Sequence, residues 1–439
     1  IPGRFESPID VILDFPNDKK DACPYFVGRF VRGVRNGPSP AWVQDKLVAV
    51  GLRPISALVD ITNLVTVELG RPLHVFDAAK VKGNVCARMA REGEELLALD
   101  GKTYAMDAEM CVIADEAKAE ALGGIMGGEE SGCTETTTDV FIECAYFDPI
   151  RTAMTGRKLN LQSDARFRFE RGVDPAFVEP AMEIATRLVM DLCGGEPSHV
   201  VVAGGEPNWQ KTISLRHERL RTLGGVALDA TEVSRILDVL GFSHARNGDI
   251  FETQVPSWRP DIVGEACLVE EVVRIHGYDK IPAVPMSLMD ALPHPARTVE
   301  QARRADARRV LASRGMTEAV TYSFLAEKDA ALFGKVVDAI KLANPISADL
   351  DVMRSSILPN LINAAVRNGA RGIADTALFE VGPQFTGDRP NDQSTAATGI
   401  RTGNNGMRHW ARKPRPVDAF DAKADVISVL DEIGTVTDR

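Results

Sequence analysis

Apolar residues recur at two spacings along this chain. Met110-Cys111-Val112-Ile113-Ala114 and Val140-Phe141-Ile142-Glu143-Cys144 are short apolar runs. Their length and β-branched content predict buried strands, although periodicity alone does not separate such runs from a buried helix. Over residues 180–192 the apolar spacing turns helical, and Gly194-Gly195 stops it. These mixed signals predict an α+β domain over residues 1–205.

Residues 206–285 open with a strand-like Thr212-Ile213-Ser214-Leu215. Asp229 can accept from the free amides of a first helical turn, and Glu232 three residues on completes a capping-box-like pair. Val233, Ile236, Leu237 and Leu240 follow at i, i+3, i+4 and i+7, with Gly241 as the stop. A strand pair is predicted to flank Asn247-Gly248, and a second helix over 265–275 to close at Gly277. Helix, hairpin and helix in this short length predict a winged-helix-like module. In the remaining residues, 286–439, the pattern restarts after Pro293. Thr298 can cap a helix reaching Arg314, with Gly315 as its end. Residues 319–324 and 377–381 read as strands, and 358–367 and 425–433 as helices.

Together with these patterns, a length sufficient for about two to four domains and an ordinary globular composition predict a multidomain α+β protein. The chain has 439 residues, of which 44% are hydrophobic and 26% charged, and no stretch approaches the ~20 apolar residues of a membrane span. Ile1 stands where a Met would start a chain and no signal peptide follows, so the expectation is a protein that begins upstream. Seven scattered cysteines contain no C-x-x-C pair, which predicts a reducing, cytoplasmic setting without a zinc site or disulfide framework. The formal charge of −11 restricts any nucleic-acid contact to local patches. Arg408-His409-Trp410-Ala411-Arg412-Lys413-Pro414-Arg415 is one such patch; a solvated loop is the plainer reading.

There is no Walker-type phosphate loop, dinucleotide fingerprint, H-E-x-x-H pair or G-x-S-x-G elbow, which disfavours the common ATPases, dehydrogenases and hydrolases. Leu122-Gly123-Gly124-Ile125-Met126-Gly127-Gly128-Glu129-Glu130-Ser131-Gly132 is the most unusual string. It serves either turns with positive φ or close approach of a ligand. His74 sits among apolar neighbours, as a hydrogen-bonded core histidine or as a pocket group. Asp77 is expected to cap the Ala78-Ala79-Lys80 turn. Glu143 interrupts an apolar strand, so it must pair, protonate or face a cavity; an ion pair and a polar pocket are equally open. Taken alone, the alternating charges and aromatics over residues 163–175 predict a half-exposed strand with cross-strand ion pairs. Asp261, Glu265, Glu270 and Glu271 cluster about a helix start, where complementing the helix end is commoner than collecting Mg²⁺.

Several strings, taken in order, resemble the β subunit of bacterial phenylalanine–tRNA ligase. They are Leu58-Val59-Asp60-Ile61-Thr62-Asn63, Arg71-Pro72-Leu73-His74-Val75-Phe76-Asp77, Gly123-Gly124-Ile125-Met126-Gly127-Gly128-Glu129, Ile142-Glu143-Cys144 and Arg168-Phe169-Glu170-Arg171-Gly172-Val173-Asp174-Pro175. Pro256-Ser257-Trp258-Arg259, Leu268-Val269-Glu270-Glu271-Val272-Val273-Arg274-Ile275-His276-Gly277-Tyr278 and Phe379-Glu380-Val381-Gly382 follow. The resemblance implies three parts: a mixed α/β editing domain over 1–205, a winged-helix-like insert over 206–285, and over 286–439 the start of a degenerate class II synthetase core built on an antiparallel sheet. It implies that the family's upstream tRNA-binding barrel and downstream anticodon-binding domain lie outside these residues.

The implied activity is ATP-dependent charging of tRNA(Phe) with phenylalanine by an α2β2 heterotetramer, its synthetic site on the α subunit, with hydrolysis of mischarged tyrosyl-tRNA(Phe) in this chain. ATP is not expected to bind here. A non-catalytic scaffold for α and tRNA is the alternative; a DNA-binding regulator is disfavoured by Asp229, Glu232, Asp238 and the carboxylates near Glu270. By resemblance, editing residues map onto Asn63, His74, Gly127, Glu143, Ser163 and Ala165. Glu143 would accept from the tyrosine phenol, Gly127 and Ala165 would leave room for ring and adenosine, and His74 and Asn63 would orient ester and water. Ser163 stands where threonine is common. A Mg²⁺ site shared with α maps onto Asp261, Glu270 and Glu271, with Cys267 in place of a fourth carboxylate.

Overall fold

Strand Asp139–Tyr146 is apolar at nearly every position because both of its faces are buried. Val140, Ile142 and Cys144 point to one side, where they pack with Val27, Val31 and Val75 beneath helix Val178–Cys193. Phe141 and Ala145 point to the other side and join Phe26, Phe30 and Phe76 against Val11, Val85, Ala87 and Ile113 of a second sheet. The period of two along a strand sends Glu143 to this inter-sheet face. In the computed structural model, which describes residues 1–285, 295–406, 409–411 and 413–435, the chain forms two compact units, Ile1–Pro285 and Met286–Arg439.

The first unit holds two five-stranded sheets. One runs Glu196–Pro197, Tyr25–Arg32, Asp139–Tyr146, His74–Asp77, with Val201–Gly204 also on Tyr25–Arg32. The other runs Val11–Asp14, Val85–Met89, Cys111–Ala114, Ala119–Leu122, Met126–Gly127, its first pair parallel and the rest antiparallel. Helix Val178–Cys193 ends where Gly194 takes φ 74°. Further along the unit, strands Lys211–Arg216, Ile250–Val255 and Ser243–Asn247 form an antiparallel sheet in that order. Helices Ala230–Val239 and Glu265–His276 share a core with it around Leu215, Leu237, Phe251 and Leu268. Asp229 accepts from the Glu232 amide at 2.9 Å, but the Glu232 carboxylate turns to Arg235 instead of closing a capping box. The hairpin turn is Gly248-Asp249, because Asn247 still pairs with Ile250, one residue beyond the expected turn.

In the second unit, Thr317–Glu318, Thr376–Phe385 and Gln393–Thr402 form a sheet with helices Val299–Ser313, Leu358–Gly369 and Ala419–Glu432. Thr298 and Gln301 form a reciprocal capping box. Residues 319–324 are not the continuous strand that their pattern predicts. Ala319 donates to the Phe379 carbonyl and Phe324 begins a short strand, but between them the backbone bonds to side chains: the Thr321 amide donates to Glu380, and the Tyr322 carbonyl accepts from Arg354. The last helix begins well before residue 425, because Asp418 caps it at Ala419. Pro293, Arg408 and Arg412 lie outside the described residues. Of the basic patch that can be placed, Arg415 is paired with Asp418 and Asp421.

Candidate functional site

Strand His74–Asp77 pairs with Asp139–Tyr146 so that His74 stands directly opposite Glu143. On the other flank of Glu143 stands Gly28, and the ring of Phe141 occupies the space a side chain would take there. Met126–Gly127, from the facing sheet, closes over this pair: a Cβ on Gly127 would lie 2.4 Å from His74 Cε1. The glycine string therefore works mainly by close approach. Gly124 alone within it takes a positive φ, 70°, whereas Gly128 is pinned by the Glu120 carbonyl 2.6 Å from its would-be Cβ.

His74, Gly127, Glu143 and Ala165 line one cavity of about 70 Å³, completed by Phe147, Phe169, Met126 and Pro72. Both polar groups in it are buried and left over. Glu143 Oε2 and His74 Nε2 have no hydrogen-bond partner among the described residues. Burial pushes the Glu143 carboxyl up to about 8, with the Arg71 charge opposing, and pulls His74 down to about 4. Near neutral pH the pair is thus an uncharged carboxyl beside an uncharged imidazole. Of the two readings of each residue, the ion pair for Glu143 and the hydrogen-bonded core for His74 are the ones not found among the described residues. An orphaned buried donor or acceptor costs free energy, and a ligand carrying the complementary group would recover it.

The remaining expected residues sit elsewhere. Asn63 lies half-buried on helix Ala57–Leu69 and is not among the residues lining the cavity. Ser163 is engaged: its Oγ donates to the Ile125 carbonyl at 2.6 Å and accepts from the Arg166 amide at 3.0 Å. It ties the glycine loop to the start of a helix, Asp164–Phe169. That helix corrects the strand expected over residues 163–175. The alternating charges pair along the helix, Arg168 with Asp164 on one face and Arg166 with Glu170 on the other, each four residues apart. Asp77 caps its turn as expected, accepting from Ala79 and from Thr137. Sequence reasoning missed Arg71, Phe147 and Phe169. Arg71 and Phe169 were legible as residues of the quoted strings; Phe147 carries no signal that separates it from core.

Asp261, Glu270 and Glu271 do not fit a cation as arranged. Both oxygens of Asp261 face Arg259, at 2.8 and 2.6 Å, and Glu271 is shared between Arg259 and Arg274. The Arg259 guanidinium holds both carboxyls below their ordinary range. Glu270 is exposed, and Cys267 Sγ lies 3.9 Å from the Asp261 carbonyl. Among the described residues no three His, Cys, Asp or Glu are gathered for a metal ion. Oxygens already neutralised by guanidinium groups are poor partners for Mg²⁺, which needs near-octahedral oxygen geometry. The seven cysteines are all free, and no described helix is long and apolar enough to cross a membrane.

Three family models match along the chain: the B3/4 domain over residues 22–194, the tRNA synthetase B5 domain over 213–278, and the phenylalanyl-tRNA synthetase beta chain CLM domain over 284–438. The phenylalanine–tRNA ligase beta subunit of Paramagnetospirillum magneticum is 58% identical over 438 residues, covering 100% of this chain and 55% of that protein. The corresponding protein of Rhodospirillum rubrum is 53% identical over 439 residues, again covering 100% and 55%. A crystal structure of an N-terminal fragment of the phenylalanyl-tRNA synthetase beta subunit from Pyrococcus horikoshii aligns at a TM-score of 0.32 with 16% identity, covering 62% of this chain and 76% of that one. An overlap that slight carries no argument. The chain spans about half the length of the curated relatives it matches. Identity of this extent from end to end, with three models in consecutive order, shows that the chain belongs to the family of phenylalanine–tRNA ligase β subunits.

Proposed function

We propose that this chain serves a phenylalanine–tRNA ligase by hydrolysing tyrosine wrongly esterified to tRNA(Phe), while synthesis with ATP takes place on an α subunit. One observation carries the reading: Glu143 Oε2 and His74 Nε2, both buried and unpartnered, stand side by side in a cavity roofed by Gly127. The tyrosine phenol is the group that distinguishes it from phenylalanine, and it both donates and accepts. A neutral Glu143 carboxyl can meet it in either sense. Phenylalanine would leave that carboxyl orphaned, and sites with a polar group left unpaired discriminate strongly.

The neutral imidazole of His74 is placed to orient a water or a ribose hydroxyl at the ester, without acting as a strong base. Gly127 and Ala165 supply room. Asn63 and Ser163 act by positioning, the serine through the Ile125 carbonyl that it holds. No step is routed through magnesium.

The alternative, a scaffold for α and tRNA with an inert pocket, draws on the cavity's small size, about 70 Å³ against the several hundred usual for ligand sites. Entry of a tyrosyl ring requires side chains at the rim to move, and Met126, unbranched and half-buried, is the one with the most freedom. Deacylation assays with tyrosyl-tRNA(Phe) and phenylalanyl-tRNA(Phe), on the chain and on the assembled α/β complex, decide between the two. Editing predicts release of tyrosine and sparing of phenylalanine. Equal release of both amino acids refutes the proposed selectivity, and no release by the complex supports the scaffold.

A further inference from the structure

Two strings lie largely outside the Glu143 cavity: residues 168–175, of which Phe169 alone lines it, and Pro256-Ser257-Trp258-Arg259. The structure brings them together. Phe167, Arg168, Arg171, Trp258 and Arg71 line a second cavity, of about 290 Å³, on the other side of helix Asp164–Phe169. Ala165 and Phe169 of that helix face the Glu143 cavity, while Phe167 and Arg168 face this one.

Arg71 sets the character of the site. Among the described residues four arginines are almost wholly buried: Arg29, Arg71, Arg166 and Arg354, none more than 4% exposed. Three of them have a carboxylate: Arg29 has Glu183 at 2.8 Å, Arg166 has Glu170 at 3.0 Å and Arg354 has Glu380 at 2.8 Å. Arg71 has none among the described residues. Its donors go to Cys144 Sγ and to the carbonyls of Asp174 and Ala145, all uncharged. The Glu143 carboxyl feels the Arg71 charge without forming an ion pair with it. A buried guanidinium without a counter-ion is costly, and here it borders a cavity that an anion could enter.

The rim adds to this. Arg168 and Arg171 hold only exposed pairs, with Asp164 at 3.2 Å and Glu170 at 2.7 Å, and such surface pairs give way readily to a stronger acceptor. Phe167 and Trp258 are 55% and 56% exposed, and the Arg171 guanidinium lies 3.8 Å over the Phe167 ring. Exposed aromatic faces interleaved with arginines are what a single-stranded nucleotide uses, the base stacking and the phosphate pairing.

We infer that this cavity is a nucleotide subsite: Arg71, Arg168 and Arg171 take a phosphate of single-stranded RNA, and a base stacks on Phe167 or Trp258. That the RNA is the strand whose aminoacylated end reaches the Glu143 cavity rests on the editing reading; the anion site does not. The test is fluorescence anisotropy of the full chain with a short labelled single-stranded RNA ending in CCA, alongside calorimetry with free tyrosine. Arg171→Gln and Trp258→Ala are both surface changes, and thermal melting checks that each variant folds. Each is expected to weaken RNA binding about tenfold, and Arg171→Gln to flatten the slope of log affinity against log salt by about 0.7. Tyrosine affinity stays unchanged. RNA affinity within about twofold of the parent in both folded variants overturns the subsite. Equal competition by polyglutamate also overturns it, since a bare anion site needs no base. Loss of RNA binding in the variants, with no tyrosine binding in any form of the protein, upholds the subsite and removes the editing reading instead.

Discussion

Glu143 and Glu380 are alike in sequence and opposite in structure. Each interrupts an apolar strand, Phe141-Ile142-Glu143-Cys144 in the first unit and Leu378-Phe379-Glu380-Val381 in the second, and each is almost fully buried, at 6% and 4% exposure. Glu380 is paired: Arg354 reaches it at 2.8 Å and Thr321 at 2.6 Å, and the same arginine bonds the carbonyls of Tyr322 and Pro383. Glu143 has its charged neighbour, Arg71, out of ion-pair range and keeps one oxygen free toward a cavity. A carboxylate within an apolar strand does not tell which of these it is. The difference lies in what the adjoining strand and the facing loop contribute, which are an arginine in one case and a histidine with a glycine in the other.

Breaking the pair in the second unit should have the largest effect. Glu380→Gln leaves the Arg354 charge buried and is expected to destabilise that unit by about 3–5 kcal/mol, measured by denaturant unfolding. The same substitution at Glu143 should act in the other sense. Its folded pKa, near 8, exceeds the ordinary 4.5, so the folded state binds the proton that the unfolded state releases. Stability is therefore lost as pH rises from 4.5 to 8, and Glu143→Gln, which cannot ionise, is expected to gain about 3 kcal/mol at pH 7. The gain should vanish near pH 4.5. A loss of stability in Glu143→Gln, independent of pH, would place Glu143 in the same class as Glu380.

Gly127→Ala sharpens the comparison from the cavity side. With its Cβ 2.4 Å from His74 Cε1, the alanine is expected to cost about 1–3 kcal/mol. Displacement of the imidazole should lower tyrosyl-ester hydrolysis about a hundredfold. The mildest change is Ser163→Ala, which removes a helix cap and the tie to Ile125. About 1 kcal/mol of stability is expected to go, with hydrolysis weakened less than by Gly127→Ala. Thermal melting and deacylation rates read out both variants.

Much of the fold could be read from the residues because local signals agreed with tertiary packing. Strands 110–114 and 140–144, the helix stopped by Gly194 and the helix capped by Thr298 fall where pattern and caps put them, within a few residues. Disagreement arose where side chains replaced backbone partners. Residues 319–324 look like a strand, but the Thr321 amide goes to Glu380 and the Tyr322 carbonyl to Arg354, bonds that a ladder would have used. Residues 163–175 alternate as a strand would, yet Ser163 caps a helix in which the same charges pair four apart. Asp261 and Glu271 look like cation ligands until Arg259, brought in by a turn of the chain, is seen between them. The cavity itself was legible only in its members, since His74, Gly127 and Glu143 lie far apart in the sequence and no local rule brings them into register.

The most direct measurement is the crystal structure of the chain soaked with tyrosine and, separately, with phenylalanine. If Glu143 reads the phenol, tyrosine will sit with its hydroxyl within hydrogen-bond distance of the Glu143 carboxyl, beside His74 and under Gly127, and phenylalanine will leave the cavity empty. Equal occupancy by both amino acids, or a tyrosine whose hydroxyl points away from Glu143, would contradict it.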